Sequence, residues 1–403
     1  MNAPVAPAAI APHDAAAVAE RLVRAIASVI GPAPQFIALH EPEFAGREWD
    51  YVKDCLDTGW VSSVGSYVDR IEVMLGELTQ TSAVACVNGT AALHMAYMLA
   101  GYRAGDEVLV PSLTFVATIN PVHYIGAIPH FVDSCPLTLG VDPVALDAYL
   151  RDVAELRGGE CFNRATGRRI SGLVVTHIFG HAADMDGLCD VAARWGLALV
   201  EDAAEALGTL YKGKPVGGFG VAAALSFNGN KIVTTGGGGA VICGDPALAR
   251  RAKHLTTTAK QPHRWRFDHD AVAYNYRMPN INAALGCAQL ERLDDAMARK
   301  KLLHERYRAA LQGISEVRYI NAPDHSRSNN WLLGFMLDGA TMDSRDIVLA
   351  ALNDANYMSR PVWTLCHRLP MNADCPAAPL PVATRLEREI VNIPSSAQLI
   401  TVP

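Results

Sequence analysis

The sequence predicts an α/β protein: a mostly parallel seven-stranded sheet covered by helices, followed by a smaller C-terminal α+β domain. Short apolar, β-branched runs recur between residues 84 and 243. Helix-like stretches lie between most of them. The runs are apolar along their whole length rather than alternating, as in strands buried on both faces of a parallel sheet.

The runs are Val84–Val87, Glu107–Val110, Ile128–Val132, Leu173–Phe179, Leu197–Glu201, Ala222–Phe227 and Ala240–Cys243. Ala91–Leu99 and Leu188–Trp195 are examples of the intervening helices. Before the sheet, residues 1–12 are expected to be a disordered tail. Residues 13–30 form an amphipathic helix, with Val18, Leu22, Ile26 and Ile30 on one face, ended by Gly31-Pro32-Ala33-Pro34. Residues 281–311 are expected to form one long helix leaving the first domain, charged on one side through Gln289, Glu291, Arg292, Asp295, Arg299 and Lys300. Trp331–Leu337 and Val391–Ile393 are expected strands of the smaller domain. The expected division is therefore 1–34 (tail and helix), 35–280 (large domain) and 281–403 (small domain). No internal repeat is evident.

Composition excludes several function classes. Among 403 residues, 35 basic side chains face 41 acidic ones, a net charge of −6. That balance gives no nucleic-acid footprint and no polybasic membrane patch. The nine cysteines are scattered without a Cys-x-x-Cys pair, so they are expected to be buried, reduced thiols rather than a zinc or redox motif. No apolar run reaches the roughly 18 residues of a membrane span. The Ala/Pro-rich N-terminus lacks the basic and apolar regions of a signal peptide. A soluble, cytoplasmic protein is expected.

In a sheet of this kind, ligands sit at the carboxyl ends of the strands. The loops after the runs therefore carry the functional signal. After the first comes Asn88-Gly89-Thr90 and a helix, which suits either a phosphate cup or an ordinary N-cap. After the second comes Phe115, placed to stack on a planar ring or to fill the core. After the fifth come Glu201, Asp202 and Glu205 in Glu-Asp-Ala-Ala-Glu. A carboxylate there suits a protonated pyridine nitrogen, a magnesium ion or a helix cap. After the sixth comes Ser226-Phe-Asn-Gly-Asn-Lys231, then Gly236–Gly239. Lys231 has no helical face to decorate, and partial desolvation would lower its pKa and make the amine nucleophilic. An exposed hairpin lysine is the competing reading.

Three patterns lead nowhere. Gly208–Lys214 begins like a P-loop, but Pro215 stands where the Mg²⁺-binding hydroxyl belongs. The glycine run does not fit a dinucleotide fingerprint, because Val241 occupies the required third glycine. His177 and His181, with Asp184 and Asp186, match no metal-ligand spacing, so no metal is expected. A buried hydrogen-bonded histidine or a substrate contact is the better reading of the pair.

Taken in order, these segments resemble the sugar aminotransferases of the DegT/DnrJ/EryC1/StrS family, over about residues 35–403. Leu39–Pro42, Trp60–Gly65 with Tyr67–Asp69, Ser226–Lys231 and Tyr274–Pro279 resemble its LegC-type branch. The resemblance implies a pyridoxal-phosphate enzyme of fold type I. Lys231 matches the Schiff-base lysine and Asp202 the partner of the pyridine nitrogen. Phe115 matches the ring-stacking aromatic, and Gly89, Thr90 and Ser226 the phosphate cup. Asn275 matches an asparagine reaching the phosphate from the neighbouring subunit, which implies a homodimer with shared active sites. Glu205 stands where many members have Gln, near the ring hydroxyl. Gly237 stands where the wider family has Glu. Trp60, Ser63, Arg360 and His367 lie where members contact substrate, and each also suits an interface or core position.

The implied reaction is amino transfer from L-glutamate to a nucleotide-linked 4-keto-6-deoxy sugar. The branch implies a UDP-linked N-acetylhexosamine on a route to surface glycans. Dehydration or 3-amination of a deoxysugar nucleotide, and a non-catalytic regulator on the same fold, are the alternatives. Some relatives carry His in place of the lysine and act as dehydratases; Lys231 argues against that here. A metal enzyme built on His177, His181 and Asp184 is a further rival.

Overall fold

The structure, a computed structural model, describes residues 10–401. The expected N-terminal tail lies outside the described residues over positions 1–9. At residue 10 the chain is already engaged, since the Ile10 amide donates to the Gly339 carbonyl at 3.2 Å.

The seven expected strands all form. They are β1 (Ser82–Cys86), β2 (Glu107–Pro111), β3 (Ile128–Val132), β4 (Arg169–Thr176), β5 (Ala198–Asp202), β6 (Ala222–Ser226) and β7 (Gly239–Cys243). Their order is β1-β7-β6-β5-β4-β2-β3. The pairings from β6 to β3 are parallel, whereas β7 runs antiparallel between β1 and β6. A short hairpin, Ala154–Arg157 and Glu160–Asn163, adds two strands off β4 and makes the sheet nine-stranded. Its Gly158-Gly159 turn, with φ of 60° and 87°, was a hairpin signal in the sequence, masked by charged flanks.

Neighbouring strand residues point to opposite faces, and both faces are buried. Leu173, Val175 and Leu199 face a core completed by α3 (Ser66–Thr79), α5 (Pro143–Val153) and α6 (Met185–Trp195). Val174 and Val200 face a second core, completed by α4 (Gly89–Leu99) and α7 (Pro246–Thr256). The β4/β5/β6 register sets Thr176 beside Asp202 and Asp202 beside Ala224. The carboxyl ends of these strands thus converge on one crevice.

The expected helix over 281–311 is two helices, α8 (Asn280–Leu290) and α9 (Leu293–Leu311). The break has an electrostatic reason. Arg292 turns aside to Glu43 at 3.1 Å, while Asp294 and Asp295 favour the N-terminus of a fresh helix. Through buried Ala283, Ala284 and Cys287, α8 packs with Ile71 and Leu75 of α3 against the large sheet. The chain then crosses along α9 to an antiparallel four-stranded sheet. Its strands are β8 (Val317–Tyr319), β9 (Leu333–Leu337), β10 (Arg360–Pro361) and β11 (Ile390–Ile393), in the order β8-β9-β11-β10.

The first helix, α1 (Pro12–Ile30), buries Val18, Leu22 and Ile26 as its periodicity predicts. The cover comes from the C-terminal region: Leu303 and Tyr307 of α9, Leu352 of α10 (Met342–Asp354), and Val391 of β11. Gly31, at φ 82°, ends α1. Among the described residues no helix is long and apolar enough to cross a membrane.

Candidate active site

A cavity of about 430 Å³ opens where the strand ends converge. Gly89, Thr90, Phe115, Asp202, Glu205, Ser226 and Lys231, all singled out in the sequence, line it together. They arrive from four strand-end loops of the large sheet, those after β1, β2, β5 and β6.

One end of the cavity is the N-terminus of α4. Asn88 caps it by accepting from the Ala91 amide at 2.8 Å, leaving the first amides of the helix and the positive end of its dipole at the cavity wall. Here Gly89 is required by space. A β-carbon on it would lie 2.8 Å from Cβ of Ser226. Gly239, at the start of β7, is constrained in the same way, because a β-carbon there would meet the Asn88 carbonyl carbon at 2.6 Å. The result is a cup of amides and hydroxyls suited to a phosphate.

Asp202 lies at the other end and is buried. It accepts from the Thr118 hydroxyl at 2.7 Å and the Ala204 amide at 3.1 Å. Burial still pushes its carboxyl above the ordinary value, outweighing those bonds and the nearby Lys231. A cation facing Asp202 is what this carboxylate lacks, and a protonated ring nitrogen is such a cation.

Lys231 stands between the two ends. Its loop is closed at the base by the Phe227 amide, which donates to Gly238 at 2.8 Å. The Lys231 amide turns back to the Asn228 carbonyl at 2.9 Å. The amine lies 3.6 Å from the Glu205 carboxylate. Burial lowers the lysine's pKa, and Glu205 and Asp202 oppose that shift. Burial likewise lifts Glu205 to about 7, against Lys231 and the Phe179 amide, which donates to it at 2.8 Å. A lysine with a depressed pKa beside a polarisable carboxyl suits both nucleophilic attack and proton transfer.

The set fits pyridoxal phosphate: an anion cup at one end, an anionic partner for a ring nitrogen at the other, and an amine between them. Gly89→Ala is expected to weaken cofactor binding by about tenfold or more, the scale of a clash costing about 1–3 kcal/mol. Spectrophotometric titration with the cofactor measures it.

The remaining sequence candidates lie outside this cavity of their own chain. Asn275 is exposed, and its side-chain oxygen accepts from Arg277 at 2.9 Å. Trp60, 59 % exposed, and Ser63 lie between α2 (Glu48–Thr58) and α3, on a loop pinned by Asn280, which donates to the Trp60 carbonyl at 2.7 Å. Arg360 is exposed at the start of β10. His367 shares a 2.7 Å hydrogen bond with Ser112 and packs toward Phe131.

Conversely, Thr118 and Trp331 line the cavity without having been singled out in the sequence, together with His177, read above as a buried hydrogen-bonded histidine or a substrate contact, and Trp363, three residues after Arg360. The His177 ring accepts from the Ala183 amide at 3.2 Å through Nδ1, so Nε2 carries the proton toward Glu201 at 3.1 Å. Glu201 is itself fully buried and accepts from the amides of Gly217, Phe219 and Gly220. Burial works to raise its pKa, but His177 and those amides hold it below the ordinary value. The pair is a fixed wall of the cavity. Among the described residues no group of His, Cys, Asp or Glu is arranged to hold a metal ion. The local pattern Thr114-x-x-x-Thr118 was a findable signal for Thr118, since its two hydroxyls meet at 2.8 Å. Nothing local tied Trp331 to Lys231, a hundred residues away.

Comparison with known proteins shows the family. The chain is 36% identical over 365 residues to GDP-perosamine synthase of Caulobacter vibrioides, covering 90% of this chain and 94% of that one. The GDP-perosamine synthase of Escherichia coli O157:H7 is 34% identical over 371 residues, with 91% and 94% covered. Among solved structures, DesI in the presence of its TDP-sugar product superposes with a TM-score of 0.78 at 29% identity, covering 89% of this chain and 88% of that one. The sequence model of the DegT/DnrJ/EryC1/StrS aminotransferases matches residues 42–401, and the chain belongs to this family of pyridoxal-phosphate-dependent enzymes.

Proposed function

We propose that this enzyme moves the amino group of L-glutamate to carbon 4 of a nucleotide-linked 4-keto-6-deoxy sugar. The resemblance of Leu39–Pro42, Trp60–Gly65 and Tyr274–Pro279 to the LegC-type branch favours a UDP-linked N-acetylhexosamine. The product is a 4-amino sugar nucleotide for surface-glycan assembly. The observation that carries this reading is the placement of the Lys231 amine between an anion cup and a buried, under-neutralised Asp202, in one cavity.

Pyridoxal phosphate, when bound, supplies an aldehyde that accepts the amino group and a ring that withdraws electrons from the carbon losing its proton. Gly89, Thr90 and Ser226 hold the phosphate. Asp202 keeps the ring nitrogen protonated, and Thr118 fixes the carboxylate for that task. Phe115, half exposed at the mouth, covers the ring, with Trp363 beside it at 6.4 Å between centroids. Lys231 would hold the cofactor covalently. Its free amine would take the proton from Cα of the donor and return it, as base and then acid. The keto-sugar runs the same steps in reverse. Asn275 serves the site of a second copy, and Trp60, Ser63, Arg360 and His367 frame the sugar nucleotide in that cytoplasmic homodimer.

A second reading of the nucleotide has its own support: relatives that span about nine-tenths of the chain include GDP-perosamine synthases, which favours a GDP-linked keto-sugar.

The first test is an absorbance spectrum of the purified protein with pyridoxal phosphate. A visible band is expected to form, to bleach on adding L-glutamate, and to return on adding the UDP-linked keto-sugar. Return only with the GDP-linked keto-sugar selects the second reading. A band that ignores glutamate points to a dehydratase or a regulator. No band in folded protein overturns the assignment of Lys231.

A further inference from the structure

We propose that Trp331 is a positioning residue for Lys231: its indole face is the rest position of the lysine amine whenever that amine is not covalently engaged. The proposal rests on the role given to Lys231 above.

The Lys231 nitrogen lies 3.7 Å from the centroid of the Trp331 ring. The ring has little freedom to leave. It is 4 % exposed. Its indole N–H donates to the carbonyl of Asn230, the residue before Lys231, at 2.7 Å. Its backbone amide donates to the Asn329 side chain at 2.9 Å, and its carbonyl accepts from Lys300 at 3.1 Å. Asn329 in turn donates to the carbonyls of Glu205 and Leu207, both at 2.9 Å. One short segment, 329–331, therefore fixes both walls of the lysine amine: the indole face and the loop that carries Glu205.

This arrangement answers a chemical need. During turnover Lys231 must leave the cofactor, carry a proton as an ammonium, and give it back. A carboxylate alone would hold the ammonium but compete for its proton. An aromatic face stabilises the cation through its quadrupole and accepts no proton. Trp331 thus retains the charged amine within reach of the reacting carbon without removing the proton it must return.

The charged and titratable groups around the amine are Glu205 and Asp202 on the cavity side. Behind the loop, His40, Glu41, Glu43, Arg292, Arg299 and Lys300 border a smaller cavity with Lys231. Among the described residues, Trp331 is the aromatic face that the amine rests against, a neutral surface that favours the cation. Replacing the ring by an aliphatic group is therefore expected to move the lysine further toward the free amine.

The experiment measures the rate of acylation of Lys231 by acetic anhydride against pH. It uses the full chain freed of cofactor, with the modified peptide quantified by mass spectrometry. In Trp331→Leu the midpoint is expected to fall by about one pH unit, the scale of a desolvated cation–π contact. Trp331→Phe, which keeps a face and loses the N–H, is expected to restore the midpoint. In the holoenzymes kcat should follow the same order while the KM for L-glutamate stays near that of the parent. If Trp331→Leu does not fold, Trp331→Met fills more of the volume without a ring and carries the same expectation. A midpoint that stays or rises on loss of the ring overturns the proposal. Borohydride reduction of the parent holoenzyme keeps the two readings apart. Cofactor trapped on Lys231 together with an unmoved midpoint sinks this proposal alone, whereas no cofactor on Lys231 sinks the underlying assignment with it.

Discussion

Lys231→Ala is expected to abolish turnover. In the proposed function the lysine carries two tasks that no neighbour can assume: covalent attachment of the cofactor and proton transfer at the donor's Cα. Loss of a positioned general base alone costs about 10²–10⁴-fold in rate, and loss of the covalent step adds to it. Glu205, 3.6 Å from the amine, cannot substitute, because a carboxylate forms no bond of this kind with an aldehyde. Borohydride reduction followed by peptide mass analysis should find the cofactor on Lys231 in the parent and on no lysine in the variant. The fold should survive, since Lys231 occupies a cavity wall and its amine meets Glu205 and Trp331, which also line that cavity. A Lys231→Ala enzyme with a near-normal rate would remove the assignment.

Asp202→Asn is expected to lower the rate by about 10²–10³-fold, the range seen when one preorganised electrostatic partner is removed from an active site. Asn keeps the shape and accepts from the Ala204 amide as Asp does, while its amide nitrogen donates to the Thr118 hydroxyl where the carboxylate accepted from it, so the main change is one of charge. The ring nitrogen then has no anionic partner to keep it protonated. Stability moves the other way. Burial raises the folded-state pKa of Asp202 above its unfolded value. The charged form is therefore disfavoured by folding, and stability is lost as pH rises from the unfolded value through the folded one. Above that window the cofactor-free Asn variant should melt at or above the parent temperature. Calorimetry across pH checks it. A fall of several degrees would make Asp202 a structural residue instead.

Much of this site was legible because its parts are local. Asn88-Gly89-Thr90, Phe115, Glu201–Glu205 and Ser226–Lys231 each follow an apolar run, and a parallel sheet brings the ends of such runs to one edge. The hairpin at 154–163 and the division of residues 280–311 into two helices were harder. The first is a charged edge element with little burial pattern. The second depends on Arg292 meeting Glu43, about 250 residues earlier in the chain.

The sequence by itself determined the seven strands, the helix at the N-terminus, and the lysine, carboxylate and glycine positions of the cavity. It could do so because strand burial and strand-end loops are set by residues close together in the chain. Only the tertiary structure decided what surrounds the lysine amine. Trp331 reaches Lys231 from the smaller sheet, and α1 packs against that same sheet rather than beside its sequence neighbours. Asn275, Trp60 and Arg360 stand clear of their own chain's cavity for the same reason: contacts between distant segments are fixed by packing and charge in three dimensions, which spacing along the chain does not encode.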